Sequence, residues 1–118
     1  MIKSYRDLNV YKDSYDLAIQ VYRLTQDIPE REQYEIGSQL RRAATSIPIN
    51  IAEGYGKKDS VAEFKRYLKI ALGSVNEVEV LLDIMKDLGY MVAKDHEGLR
   101  SRYEVVGKQI YTLIRKWG

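Results

Sequence analysis

An apolar seam with heptad spacing, between residues 61 and 85, constrains the fold more than any other feature of the sequence. Its members recur at alternating intervals of three and four residues: Val61, Phe64, Leu68, Ala71, Val75, Val78, Leu82 and Met85. This spacing places every member on one side of an α-helix. Ser60 and Glu63 match a capping box, and Gly89 matches a C-terminal stop. The pattern predicts a helix over 60–88, roughly 43 Å long at helical rise, which is typical of a helical bundle.

Three further segments show helical periodicity, over 8–27, 32–55 and 94–116. The last carries the stripe Leu99, Tyr103, Val106, Ile110, Leu113 and Trp117, and the middle one carries Ile36, Leu40, Ala43, Ile47 and Ile51. Pro48 lies inside the middle stripe, so this helix either kinks or breaks near Ser46. We favour a kinked continuous helix, because the stripe keeps its phase. Short connections make neighbouring helices antiparallel. The expected fold is all-α, an up-down-up-down four-helix bundle forming one domain over 1–118.

The first helix carries two apolar stripes, more than one bundle core uses. Tyr11, Tyr15, Ala18 and Tyr22 form one stripe, and Leu17, Val21, Leu24 and Ile28 form the other. Extra apolar surface on a small bundle is typical of a subunit interface. We therefore expect the second stripe to contact another copy of the chain. Leu81, Ile84 and Leu88 similarly flank the heptad seam.

Composition limits the chemistry available to the chain. Its 118 residues include no cysteine, which excludes disulfides, thiolate metal sites and cysteine nucleophiles. His96 is the only histidine, and Ala93 stands where a di-iron bundle motif needs a carboxylate. We expect His96 to lie on the surface in the loop before the last helix. The stretch Gly54-Tyr55-Gly56-Lys57-Lys58 lacks phosphate-loop spacing. No enzyme activity, metal or cofactor is predicted, and a cytoplasmic protein without membrane contact is expected.

Residues 39–54 resemble a known family signature; they read QLRRAATSIPINIAEG. Similar residues continue through Glu63-Phe64, Gly73-Ser74 and Leu88-Gly89-Tyr90. The family is that of bacterial four-helix bundle proteins encoded by intervening sequences in 23S ribosomal RNA genes. A more distant resemblance is to the accessory variability protein of diversity-generating retroelements, a basic pentameric partner of a reverse transcriptase. The resemblance implies a homo-oligomer, with a pentamer favoured and a dimer as the fallback.

Five polar residues of the signature fall within one arc of the second helix: Gln39, Arg42, Ser46, Asn50 and Glu53. They form either a solvated flank or a half-buried hydrogen-bonding ladder that fixes helix register. In both cases the role is structural.

A basic strip follows the same region, since residues 41–70 carry seven basic and three acidic side chains. The strip consists of Arg41, Arg42, Lys57, Lys58, Lys65, Arg66 and Lys69. An antiparallel hairpin turning near Lys57 would place Arg42 level with Lys69. The strip is either a solvated face or a binding site for an anionic polymer. No aromatic-plus-basic sequence pattern indicates base stacking, so binding would depend on the nucleic-acid backbone.

The predicted function is a non-enzymatic oligomeric adaptor. Its partners are further copies of itself and either nucleic acid (RNA before DNA) or a nucleic-acid-processing protein. The alternative is a protein-interaction scaffold that binds no nucleic acid.

Overall fold

The computed structural model describes all residues, 1–118, and is built from helices and turns alone. A single 3₁₀ turn, Tyr5–Asp7, precedes the first helix. The α-helices are α1 (Asn9–Thr25), α2 (Glu30–Tyr34), α3 (Ile36–Gly56), α4 (Val61–Asp87) and α5 (Ala93–Lys116). Four of them are long, and α2 is a short helix of five residues. The all-α four-helix bundle expected from the sequence is confirmed.

The long helices pack antiparallel around one apolar core. Helix α4 lies between α3 and α5, and α1 closes the bundle against α3 and α5. The Ser46 and Ser74 hydroxyl oxygens, 2.9 Å apart, place the middle of α3 beside the middle of α4. Gln109 donates to Asp13 across 3.3 Å and links α5 to α1. One end of the bundle therefore holds the α3–α4 turn, the end of α5 and the start of α1.

Helix α4 follows the heptad prediction closely. Every seam residue is buried except Val61, which is 40% exposed at the first position. The Ser60 side chain accepts a hydrogen bond from the Glu63 amide across 3.2 Å, as a helix N-cap does. Gly89 has a φ of +80°, the left-handed conformation that favours glycine after a helix. The observed bounds differ from the predicted ones by one residue at each end.

Pro48 does not break the third helix, since α3 continues from Ile36 to Gly56 with Pro48 inside it. The chain breaks earlier than the sequence suggested. Glu35 has φ −96° and ψ −100°, outside the helical range, and it separates α2 from α3. The predicted helix over 32–55 is thus two helices. The longer one retains the whole predicted stripe in the core.

The expected subunit contact through Leu17, Val21, Leu24 and Ile28 is wrong. Leu17, Val21 and Ile28 are at most 5% exposed and belong to the core of the single chain, and Leu24 is half-buried against it. Another subunit could reach Leu17, Val21 or Ile28 only if the bundle opened. Burial of an aliphatic side chain leaves no polar group unpaired, whereas a buried tyrosine hydroxyl loses its hydrogen bonds with water, so Tyr15 and Tyr22 of the other stripe turn outward. Tyr15 and Tyr22 are 50% and 44% exposed.

His96 is also not the exposed loop histidine that we expected. It lies in the first turn of α5 with a side chain only 12% exposed. Its Nε2 lies 2.7 Å from Asp83 Oδ1, and because a carboxylate only accepts, Nε2 is the donor. This hydrogen bond lowers the pKa of the Asp83 carboxyl. Arg100 adds a second contact to Asp83 at 3.7 Å. The histidine therefore fastens α5 to α4.

Candidate nucleic-acid interface

Five basic side chains gather at the α3–α4 turn and along the first turns of α4. They are Lys57, Lys58, Lys65, Arg66 and Lys69, and we call this group the basic end. Residues 57–69 hold only two carboxylates against these five cations. All five side chains are exposed except Lys65, which is half-buried. Positive charge this concentrated attracts an anionic polymer.

The C-terminus of α5 adds further positive charge to the basic end. The Phe64 and Trp117 ring centroids are 4.7 Å apart, with the rings nearly perpendicular, and Gly118 lies against Val61. Arg115 and Lys116 directly precede Trp117 and are exposed. Their contribution comes from a part of the chain that the predicted basic strip did not include.

Aromatic rings lie among these cations, although no aromatic-plus-basic pattern was expected from the sequence. Lys58 Nζ lies 4.9 Å from the Tyr55 ring centroid. Lys57 Nζ and the Arg66 guanidinium lie 5.6 Å and 4.6 Å from that of Tyr67. Two of these pairs are also close in sequence, Tyr55 with Lys58 and Arg66 with Tyr67, so the expectation overlooked a local aromatic-plus-basic pattern. The contact of Lys57 with the Tyr67 ring, which joins the α3–α4 turn to α4, forms only in the folded chain.

Arg66 is partly engaged by a neighbouring carboxylate. Its Nε donates to Glu63 Oε2 across 2.9 Å, one turn earlier on α4. This hydrogen bond lowers the pKa of Glu63 and raises that of Arg66. The pair is exposed, so a phosphate can compete for the guanidinium at little cost.

Two predicted members of the basic strip lie elsewhere. Arg41 donates from Nη1 to Thr25 Oγ1 (3.0 Å) and from Nη2 to the Gln33 carbonyl (2.7 Å). It is half-buried and ties the connection between α1 and α3 in place. Its hydrogen bonds are committed within the fold, so we remove it from the candidate interface.

Arg42 is exposed but is not level with Lys69. The Ser46–Ser74 contact sets the α3–α4 register, so Arg42 lies level with about residue 78, roughly 13 Å along the bundle from Lys69. The expected register was wrong: the Ser46–Ser74 contact centres the turn near Ser60 rather than Lys57, which moves the level of Arg42 about six residues along α4. The remaining cations of the strip all belong to the basic end.

The polar arc of α3 forms a short hydrogen-bonded group rather than a five-residue ladder. Asn50 Nδ2 donates to the Ser46 carbonyl (2.8 Å) and hydroxyl (2.9 Å), and that hydroxyl contacts Ser74. Ser74, which the ladder prediction omitted, is its α4 partner. Gln39, Arg42 and Glu53 are exposed. The group links α3 to α4 at the middle of both helices.

Gly54 allows the rings of the basic end to approach α3. A Cβ atom at this position would lie 2.7 Å from Tyr67 Cβ and 3.1 Å from Phe64 Cδ1. Real Cβ atoms do not approach so closely, so only glycine permits this packing. The position of the Tyr67 ring thus depends on the missing side chain of Gly54.

Apolar side chains also remain exposed away from the basic end. Tyr15, Ile19 and Tyr22 of α1 line a groove with Pro48 and Ile49 of α3. On α4, the exposed apolar residues include Ile70, Val80, Ile84 and Leu88. These two surfaces are exposed, whereas most of the predicted stripe on α1 is buried.

Neither a metal site nor a membrane span is found. No three histidine or acidic side chains are grouped so that they could hold a metal ion. None of the helices combines the length and the apolar character that crossing a bilayer requires.

Comparison with known proteins gives a family and a structural relative. The family model described as "23S rRNA-intervening sequence protein" matches residues 6–112. A solved structure from Bacteroides thetaiotaomicron VPI-5482, described as a protein with unknown function from the S23 ribosomal protein family, is similar throughout. It is 26% identical, has a TM-score of 0.83, and the match covers 91% of this chain and 96% of that one. No functionally curated protein matches the sequence.

Proposed function

The chain belongs to the family of 23S rRNA-intervening sequence proteins, and we propose that it is a cytoplasmic, non-enzymatic homo-oligomeric adaptor that binds nucleic acid, RNA foremost, through its basic end. Its charge distribution carries this proposal. Residues 57–69 have five basic and two acidic side chains, whereas residues 71–100 have three basic and six acidic ones. A net charge of only +2 therefore conceals a bundle with oppositely charged ends.

The charge separation follows from the antiparallel topology. The acidic end holds the connection between α4 and α5, with Asp87, Asp95 and Glu97. It also holds the connection between α1 and α3, with Asp27 and Glu30. A polyanion approaching the molecule is repelled there and attracted at the basic end, so the field orients it before contact.

Assembly would multiply the basic end. The groove between α1 and α3 and the apolar surface of α4 are different patches, and contact between different patches is head-to-tail. Such a contact closes into a ring when the rotation permits, as the favoured pentamer requires. Each copy would present the same basic end, and linked sites bind a polymer much more tightly than one site does.

A binding role is also more consistent with the ionisable groups than catalysis is. The only histidine is 12% exposed and its Nε2 is hydrogen-bonded to Asp83. A general base must reach a substrate proton, and this nitrogen is already occupied between two helices. The imidazole therefore serves the packing of α5 on α4.

Charge reversal at the two ends of the bundle tests the proposal. Labelled single- and double-stranded RNA and DNA are titrated with wild type at about 50 mM and about 200 mM salt. The variant Lys58→Glu/Lys69→Glu reverses two charges at the basic end. The matched control, Lys86→Glu/Lys94→Glu, reverses two charges at the acidic end and so changes the net charge by the same amount. We expect binding that weakens with salt and is lost mainly in the first variant. If wild type binds no nucleic acid even at the lower salt, the proposal fails and the protein-interaction scaffold replaces it.

A further inference from the structure

Tyr55 and Tyr67 are two half-buried tyrosines whose rings face the cations of the basic end. The Tyr67 ring has Lys57 and Arg66 within 6 Å of its centroid, and the Tyr55 ring has Lys58. The cations are long and flexible, and their contacts with the rings are exposed. A ligand that carries phosphates can take the place of a cation on the ring. The displaced cation then pairs with a phosphate, so no unpaired charge is buried.

Packing against the bundle holds the two tyrosines in place. Tyr55 packs edge-on against Phe64, with centroids 6.1 Å apart, and Phe64 is fully buried. Phe64 in turn packs against Trp117. Tyr67 is in close contact with α3 at Gly54. Rings fixed in this way lose little conformational freedom on binding, which favours stacking with a planar ligand.

We propose that the basic end binds single-stranded nucleic acid, with unpaired bases stacking on Tyr67 and Tyr55 while the surrounding cations contact the phosphates. This inference rests on the proposed function and specifies its ligand. In a duplex both faces of each base are covered by neighbouring base pairs, so only unpaired bases can use these rings. Every base has an aromatic face, so stacking of this kind tolerates any sequence.

The strand preference distinguishes stacking from charge attraction alone. A duplex carries the higher density of phosphate charge and releases more counterions for each contact. A basic surface without a stacking contribution would therefore bind duplex at least as tightly as single strand. A preference for the single strand, at equal length and salt, requires a contribution from the bases.

The experiment compares a labelled mixed-sequence single-stranded RNA, about 12 nucleotides long, with the matching duplex, using fluorescence anisotropy. Wild type should prefer the single strand. Tyr67→Leu should weaken single-strand binding by about 5- to 150-fold, the range expected for one stacked base, and should leave duplex binding within about twofold. Tyr67→Phe retains the ring and should bind as wild type does. Tyr34→Leu changes a tyrosine that is 79% exposed at the acidic end and should have no effect.

Wild type alone provides a second measurement that does not depend on the folding of a variant. Trp117 is the only tryptophan and lies at the basic end, so its emission should change with single strand and less with duplex. If wild type binds both ligands equally and Tyr67→Leu changes neither affinity, this inference is overturned while the proposed function stands. If wild type binds neither ligand, the proposed function itself fails.

Discussion

Gly54→Ala tests whether close packing of α3 on α4 positions the rings of the basic end. The added Cβ would lie 2.7 Å from Tyr67 Cβ, 0.7 Å short of the 3.4 Å at which ordinary contact begins. The neighbouring atoms are a Cβ and the buried Phe64 ring, neither of which swings away easily. Overpacking of this kind costs about 1–3 kcal/mol.

The same substitution also brings a gain that must be separated from the steric cost. Alanine is favoured over glycine inside a helix by about 1 kcal/mol. Gly98→Ala supplies the control, because Gly98 lies within α5 and a Cβ added there would meet no atom within 4 Å. The helical gain is common to both variants, so their difference in stability isolates the steric cost. We expect Gly54→Ala to be less stable than Gly98→Ala by about 1–3 kcal/mol.

Urea unfolding followed by circular dichroism measures this difference, at one fixed protomer concentration because assembly would contribute to stability. For a chain of this length the melting temperatures should differ by about 4–12 °C. Equal stability of the two variants, or a more stable Gly54→Ala, would show that the α3–α4 contact is not as close as described. The role assigned to Gly54 in placing Tyr67 would then be wrong.

Three further predictions concern register, pH and assembly. Asn50→Ala should cost about 0.5–1.5 kcal/mol in chemical unfolding, because the Ser46 hydroxyl loses one partner and keeps Ser74. Gln39→Ala, at an exposed position, should change stability by under about 0.5 kcal/mol. Asp83 has a pKa lowered from 3.8 in the folded state, so it stabilises above that pH and the contribution is lost as pH falls through the lowered value. The difference in unfolding free energy between wild type and Asp83→Asn should therefore be largest near neutral pH and should shrink below pH 3.8. A difference that stays constant until the Asp83 carboxylate is fully protonated would contradict this. In light scattering, Ile84→Glu should dissociate the oligomer with helicity intact, whereas Leu17→Lys should reduce helicity; a wild-type monomer would refute the assembly proposal.

Local periodicity was sufficient to predict the four long helices and most of the core, but not the break at Glu35 that separates α2 from α3. The heptad seam identified α4 because its residues recur at intervals of three and four, a spacing that can be recognised within one segment of the sequence. The stripe of α3 retained its phase through Pro48 for the same reason. These features depend on neighbours in the sequence, and no knowledge of the tertiary structure was needed.

Features that depend on contacts between helices could not be predicted from periodicity. Two apolar stripes on α1 compete for one core, and the aliphatic stripe containing Leu17 occupies it because the tyrosine hydroxyls remain hydrated. The α3–α4 register brings Ser46 beside Ser74, 28 positions away in the sequence. Arg41 resembles a surface cation in the sequence, but its partners lie on the preceding connection.

The candidate site was predicted only in part, because some of its residues come together only through contacts between helices. Lysines at 57, 58, 65 and 69 are close in sequence, so their concentration was visible at once. The charges of Arg115 and Lys116 join them only in the folded chain, whereas Tyr55 and Tyr67 lie beside the lysines in the sequence and were overlooked. The expected site was a strip along two helices, whereas the structure concentrates it at one end.

The dependence of RNA affinity on salt concentration tests the central claim, binding of nucleic acid through the basic end, most directly. Each phosphate contact to a single strand contributes about −0.7 to the slope of log K against log salt, so five engaged cations predict a slope near about −3.5. Lys58→Glu/Lys69→Glu should make the slope shallower by at least about 1.4, and Lys86→Glu/Lys94→Glu should leave it unchanged. A flat salt dependence in wild type, or a slope that only the second variant alters, would contradict the claim.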